Sequence, residues 1–398
     1  MKRSTSRILT THVGRLQRPD DLTDMMIARQ ASKAFDQAAF SAKLKTAVKD
    51  VVRRQADAGI AIVNDGEFAR ISWLIYGFQR LGGYELKPIK PEQNLTVLQG
   101  KDRSDFADYY AYIAAESGRT YYRSPGSAGA AGGVEGQRWE CTGPVTYTGQ
   151  SAVREEIDDL KAALAGAGVE EAFMSATAPG DIAYVAPNNY YSHQDDYLQA
   201  LADAMREEYQ AIADAGIVLQ IDDPVMPCEW DLMLARNASK EDYYRHCEKR
   251  IEFLNHALAG IPPDRIRYHI CWGSHHGPHS TDIPLVDVLP LLFKVRATGF
   301  VFEAANVRHE HEWQVWKDVK LLADKVLIPG VVSHVTNTIE HPDLVAWRIK
   351  LFADVVGREN VIAGTDCGMG YRVHPQIGWA KLAALGEGAR RASKQLFS

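Results

Sequence analysis

Cysteine is scarce in this chain. Five residues among 398, an odd number, do not make the even, closely spaced framework of a small disulfide-stapled secreted domain. Long apolar runs are missing too: no stretch is long enough to span a bilayer, and the basic Met1-Lys-Arg start is not followed by an apolar segment, which argues against membrane insertion and export. A cytoplasmic location is expected. Positive charge is not in excess, with 45 Lys and Arg against 51 Asp and Glu and a formal net charge of -6. Without a dense basic run, nucleic acid is not an expected partner. There is no strand-coupled Gly-x-Gly-x-x-Gly fingerprint and no Gly-Lys-Ser/Thr loop, which disfavours dinucleotide-binding and P-loop folds.

What is present is ordinary globular composition, 46% hydrophobic and 24% charged, at a length that suits one large α/β barrel or two medium domains. Apolar, strand-like runs recur at residues 8–14, 60–68, 139–149, 171–179, 217–224, 265–273, 299–306, 325–332 and 360–368. Between them lie helical stripes. Phe40, Leu44, Val48, Val51 and Val52 share one face of a helix expected over 36–58, closed by Gly59, and a later helix carries Tyr197, Leu201, Met205 and Ile212. Alternation of strand and helix predicts a parallel sheet. Polar and ligand-type residues gather at the carboxyl ends of the runs, where a (β/α)8 barrel keeps its chemistry. The expected fold is therefore α/β, a single TIM-barrel domain over residues 1–398. Nine runs are one more than eight strands require, so one run in the region 139–180 is spare. An inserted segment, 81–138, follows the second strand; it is Tyr-rich and then Gly/Ala/Ser-rich over 124–136, and reads as a lid or as a contact between copies in a homo-oligomer.

The run at 265–273 carries the first chemical signal. In a strand, His269 and Cys271 point to the same face, and imidazole with thiolate is half of a tetrahedral zinc site. Each residue type alone is also common in cores. Glu303, costly to bury without a partner, sits in the next apolar run, and Cys367 ends the last one. His12 and His334 lie at strand ends that face the barrel mouth and suit general acid work. His275, His276, His279, His309 and His311 read as loop residues or as groups that orient a metal ligand. Trp272, Trp313 and Trp316 read as packing residues.

These residues carry a resemblance that spans nearly the whole chain. Thr10-Thr-His-Val-Gly14, Asp65-Gly-Glu67, Gln220-Ile-Asp-Asp-Pro224, His269-Ile-Cys271, Phe302-Glu303, Pro329-Gly-Val-Val332 and Thr365-Asp-Cys-Gly368 resemble the catalytic-domain family of cobalamin-independent methionine synthase, in the methionine synthase/uroporphyrinogen decarboxylase barrel superfamily. The resemblance implies Zn2+ held by His269, Cys271, Glu303 and Cys367, and a small thiol that reacts as a zinc-bound thiolate with an alkyl donor. It implies that Glu67 and Asp222 hold a substrate ammonium, with Asp222 and His334 as catalytic candidates and His12 and Arg15 beside the substrate. The chain departs from the family at Arg15, where a Ser is usual, and has no clear match to the residues that stack on folate. Cys271-Trp-Gly-Ser-His-His-Gly-Pro278 and Arg308-His-Glu-His-Glu-Trp313 are similar to a branch that includes epoxyalkane:coenzyme M transferase, which implies epoxide opening by the same thiolate as an alternative. A non-catalytic protein with a structural zinc is a third reading.

Overall fold

A computed structural model describes residues 1–30, 36–88, 100–115, 137–274 and 277–398. It contains ten strands: β1 (Leu9–Thr10), β2 (Ile62–Val63), β3 (Leu81–Pro88), β4 (Gln137–Tyr147), β5 (Glu171–Thr177), β6 (Val218–Asp222), β7 (Ile266–His269), β8 (Gly299–Phe302), β9 (Val326–Val332) and β10 (Ile362–Thr365). Eight of them form one parallel sheet in the order β1-β10-β9-β8-β7-β6-β5-β2. Its two ends meet: Ala61 N–H donates to Thr10 O at 3.1 Å, and Thr11 Oγ1 donates to Ile62 O at 3.0 Å. The result is the expected (β/α)8 barrel.

The spare run is 139–149. It forms β4, which pairs antiparallel with β3 in a separate two-stranded ribbon. Burial explains the division: β5 is buried along nearly its whole length, as a parallel strand covered on both faces must be, whereas β4 is half-covered with alternating exposure at its end. Inside the barrel, Leu9, Val13, Phe173, Val218, Val301, Ile328 and Ile362 pack together. Arg267 crosses that interior, donating to Gln220 Oε1 at 2.6 Å, Thr11 Oγ1 at 2.9 Å and His12 O at 2.6 Å.

The helices form where the apolar stripes predict. Asp36 caps the helix Gln37–Asp57 by accepting from Ala39 N–H at 3.0 Å, and Gly59 ends it at φ 83°. A capping box of Ser239 and Asp242 starts the helix Lys240–Ala257. Within the insertion are two short helices, Lys101–Asp105 and Ala107–Ala115, the first of which is tied to barrel loops. Asp102 Oδ1 accepts from Ser280 N–H at 2.9 Å and from its hydroxyl at 2.5 Å, and Asp231 Oδ1 accepts from Asp102 N–H at 2.8 Å. The Gly/Ala/Ser-rich stretch 124–136, Tyr121, Tyr122, His275 and His276 lie outside the described residues. Among the described residues, no helix is long and apolar enough to cross a membrane.

Candidate metal centre

Strand register brings the ligand-type residues together. Asp222 at the end of β6 pairs with His269 at the end of β7, and His269 pairs with Val301 of β8; Cys271, Glu303, His334 and Cys367 each follow a strand end by one or two residues. The donor atoms of His269, Cys271 and Cys367 all lie within 4.8 Å of one another. His269 Nδ1 is held by Asp222 Oδ1 at 2.8 Å, and Asp222 in turn accepts from Gln220 Nε2 at 2.7 Å. The other imidazole nitrogen, Nε2, is buried without a hydrogen-bond partner.

Electrostatics show what this cluster lacks. Burial lowers the pKa of His269, but Asp222 and Cys367 outweigh it and push it up to about 10. Cys367 is pulled well below the usual thiol range, first by hydrogen bonding with Cys271 and then by His269 and His334, despite burial. Cys271 is pushed up by Cys367 and by burial. One sulfur thus keeps the proton that the other gives up, because two adjacent buried thiolates repel each other. A divalent cation removes that conflict, since coordinating thiols are deprotonated outright.

Glu303 falls in an adjoining set with His334 and Asp366, whose donor atoms also lie within 4.8 Å of one another. Its Oε1 accepts from Trp272 N–H at 2.9 Å and its Oε2 from Asn306 Nδ2 at 2.5 Å. Burial, then Asp366, pushes its pKa up to about 8. Asp366 Oδ1 accepts from Ala304 and Ala305 N–H, each at 2.8 Å, and so straps the turn after β8 beside Cys367. His334 Nε2 is 2.9 Å from Ser274 Oγ, which donates to Cys367 Sγ at 3.6 Å. Three of the four expected ligands therefore converge, with Glu303 beside them. His269 Nε2, buried without a hydrogen-bond partner, and the adjacent Cys271 and Cys367 sulfurs fit a zinc ion.

On the other side of Asp222 stands Glu67. Its backbone is left-handed at φ 57°, a strained conformation for a side chain of this size. Oε1 accepts from Ser175 Oγ at 2.9 Å, whereas Oε2 is buried without a partner. Burial, then Asp222, pushes its pKa up to about 7. Gly14 leaves room for this carboxylate: a Cβ at that position would lie 2.4 Å from Glu67 Oε1 and displace it. Arg15 donates through Nη2 to Ile71 O at 2.8 Å.

His12, expected beside the substrate, is buried just after β1. It is turned to Gln55 Oε1 at 2.7 Å, on the helix Gln37–Asp57. Burial pushes its pKa down to about 4, and its Nδ1 is buried without a hydrogen-bond partner. His309, read from sequence only as a loop or orienting residue, is buried and stacks on Trp272 at 4.1 Å. Its ring nitrogens lie 2.8 Å from Glu312 Oε2 and 3.2 Å from Asp282 Oδ2, which holds it against Trp272, whose N–H reaches Glu303. The spacing of His309 and Glu312 on one turn was the available clue. Asp366 and Ser274 had none beyond adjacency to Cys367 and the Cys271 loop.

A family model described as cobalamin-independent synthase, catalytic domain, matches residues 174–389, more than half of the chain. A methionine synthase of Saccharolobus islandicus (strain Y.N.15.51 / Yellowstone #2) is 24% identical over 398 residues, covering 97% of this chain and 95% of that protein. One from Sulfolobus acidocaldarius is 23% identical over 363 residues, covering 90% and 85%. Among solved structures, a B12-independent methionine synthase from Shewanella sp. W3-18-1 in complex with selenomethionine aligns with a TM-score of 0.71 at 18% identity over 98% of this chain and 99% of that one. A putative vitamin-B12 independent methionine synthase from Listeria monocytogenes gives 0.65 at 19% identity over 98% and 99%. These two structures share the fold.

Proposed function

The chain belongs to the family of cobalamin-independent synthase catalytic domains, and from that premise we propose that it is a zinc-dependent methyltransferase acting on the sulfur of a small thiol. The observation that carries this reading is the convergence of His269, Cys271 and Cys367 within 4.8 Å, with His269 Nε2 buried and unpartnered. His269, Cys271, Cys367 and Glu303 would hold the metal. Zinc bound there would keep an added thiol ionised near neutral pH while leaving its sulfur nucleophilic.

The protein's own groups do the rest. Asp222 fixes the proton of His269 on Nδ1 and so aims Nε2 at the two sulfurs. Glu67 and Asp222, two neighbouring carboxyl groups with one buried oxygen unbonded, suit a substrate ammonium; Arg15 flanks them. His334, joined to Cys367 through Ser274, takes up or returns the thiol proton at Nε2. In the transfer a sulfur–carbon bond forms as the methyl–donor bond breaks. The whole chain is one barrel unit in this reading, and the hydrogen bonds of Asp102 to Ser280 support a lid role for residues 100–115.

The test begins with metal content: one zinc per chain is expected after purification. Cobalt substitution should give a spectrum that shifts when an aminothiol is added, and thiol should be consumed with a methyl donor or, as the second reading, an epoxide. A cobalt spectrum that no thiol moves would favour a closed structural site and end the proposal.

A further inference from the structure

A hydrogen-bond chain runs from the barrel wall to Glu67. Ser175 follows Phe173 by two residues on β5, so the two side chains share a face, and Phe173 packs in the barrel interior. The Ser175 hydroxyl is buried there and donates to Glu67 Oε1 at 2.9 Å. Behind it stands Arg70. Its Nη1 donates to Ser175 O at 2.5 Å and to Ser175 Oγ at 3.3 Å, while Nε and Nη2 donate to Glu156 Oε2 at 3.2 and 2.8 Å. The Arg70 guanidinium carbon lies 4.3 Å from the centre of the Tyr76 ring, and the Arg70 backbone N–H donates to Glu67 O at 3.1 Å. One residue thus holds both the backbone of Glu67 and the hydroxyl that reaches its side chain.

Chemistry fixes the direction of this chain. A guanidinium only donates, and a hydroxyl has one proton. With Arg70 donating to Ser175 Oγ, the serine proton goes to Glu67 Oε1. That oxygen is occupied as an acceptor, whereas Oε2 is buried without a partner. Arg70 is already matched by Glu156 and by a backbone carbonyl, so the scaffold does not need the hydroxyl; its effect falls on Glu67. Burial, Asp222 and Asp65 disfavour a charged Glu67, and Arg70 and Arg15 favour it. A donor to a carboxylate stabilises the charged form, so Ser175 acts on the same side as the two arginines.

Resting on the reading of Glu67 as the seat of a substrate ammonium, we infer that Ser175, oriented by Arg70, is a positioning residue that sets the preference for cationic substrates: it pins one oxygen of Glu67 and leaves the other turned to the amine. Discrimination between an aminothiol and an uncharged thiol then depends on a hydroxyl that acts through Glu67 and not through the metal.

Calorimetric titration of the zinc-loaded protein with cysteamine and 2-mercaptoethanol tests this, because the two thiols differ in one terminal group, ammonium against hydroxyl. Ser175→Ala should lower the ratio of cysteamine to 2-mercaptoethanol affinity about tenfold, change 2-mercaptoethanol itself by less than about twofold, and Ser175→Thr should regain part of the loss. Arg70→Lys should lower the ratio as well, since a single ammonium replaces the planar fork. The ratio should rise with pH as Glu67 ionises, and in Ser175→Ala that rise should come about one pH unit higher. A readout without thiol or metal is the carboxyl-carbon resonance of Glu67, assigned with Glu67→Gln, which should also titrate about one unit higher in Ser175→Ala. Equal weakening of both thiols in Ser175→Ala, or an unchanged ratio with an unchanged Glu67 titration, overturns the inference even where Glu67→Gln lowers the ratio. A shifted Glu67 titration with a ratio that Glu67→Gln leaves unchanged keeps Ser175 as the group that positions Glu67 and overturns the ammonium reading instead.

Discussion

Behind the barrel wall, Arg250 is gripped by Asp181 and Asp223 at 2.5 and 2.7 Å and by Glu229 at 2.5 Å, and Glu156 and Glu208 similarly enclose Arg70 and Arg80. At the barrel mouth, by contrast, Arg15 Nε, Glu67 Oε2 and His269 Nε2 are buried and unmatched. Both regions bury charge and both leave single atoms unbonded, Arg250 Nε and Asp181 Oδ2 in the wall among them, but only the wall sets each of its arginines against carboxylates. The difference separates scaffold from site: arginines clasped by carboxylates fix helices against strands, whereas groups at the mouth without such partners are held by the fold for what binds there.

That contrast can be broken at either end. The largest effect is expected from Cys271→Ser or Cys367→Ser, which should remove the metal and reduce turnover on the order of 1000-fold or more, seen as loss of zinc by elemental analysis alongside the rate. Full metal content in both variants would dissolve the proposed centre. Next is Arg250→Met, which strands three carboxylates and should cost about 3–5 kcal/mol in urea unfolding; a loss below about 1 kcal/mol would mean that this network is not what braces the wall. Asp222→Asn keeps the shape but no longer fixes the imidazole tautomer, and zinc affinity should fall roughly 10–100-fold in chelator competition.

The smallest effect concerns Glu67 and has a defined sign. Its pKa is raised from 4.5 to about 7, so the native state holds a proton that the unfolded chain has lost between those values. The buried carboxyl is harmless below pH 4.5 and destabilises the fold increasingly as pH rises through about 7. Glu67→Gln should therefore stabilise the metal-free protein above pH 7, on the order of 1–2 kcal/mol, and leave it unchanged below pH 4.5. Equal effects at both pH values would show that shape, not charge, sets its influence.

Much of this was legible in the chain itself. Alternation of apolar strand runs with stripes such as Phe40, Leu44 and Val48 is a local property, and it gave the barrel. His269 and Cys271 could be placed on one face because strand side chains alternate. The spare run was not resolved, because β4 and β5 have similar apolar content and differ in what covers them. Proximity to a strand end does not say whether a side chain turns to the mouth or to the neighbouring helix, and His12 turns its Nε2 to Gln55.

The sequence by itself determined the donor types and the strand–helix rhythm. Only the tertiary structure decided that Cys367 meets His269 and that Arg15 lies against the same turn as Cys367. Those contacts join residues hundreds of positions apart, through parallel registers and the closure of β1 on β2 and β10. Convergence of this kind is set by packing and hydrogen bonding across the whole barrel, which no local pattern encodes.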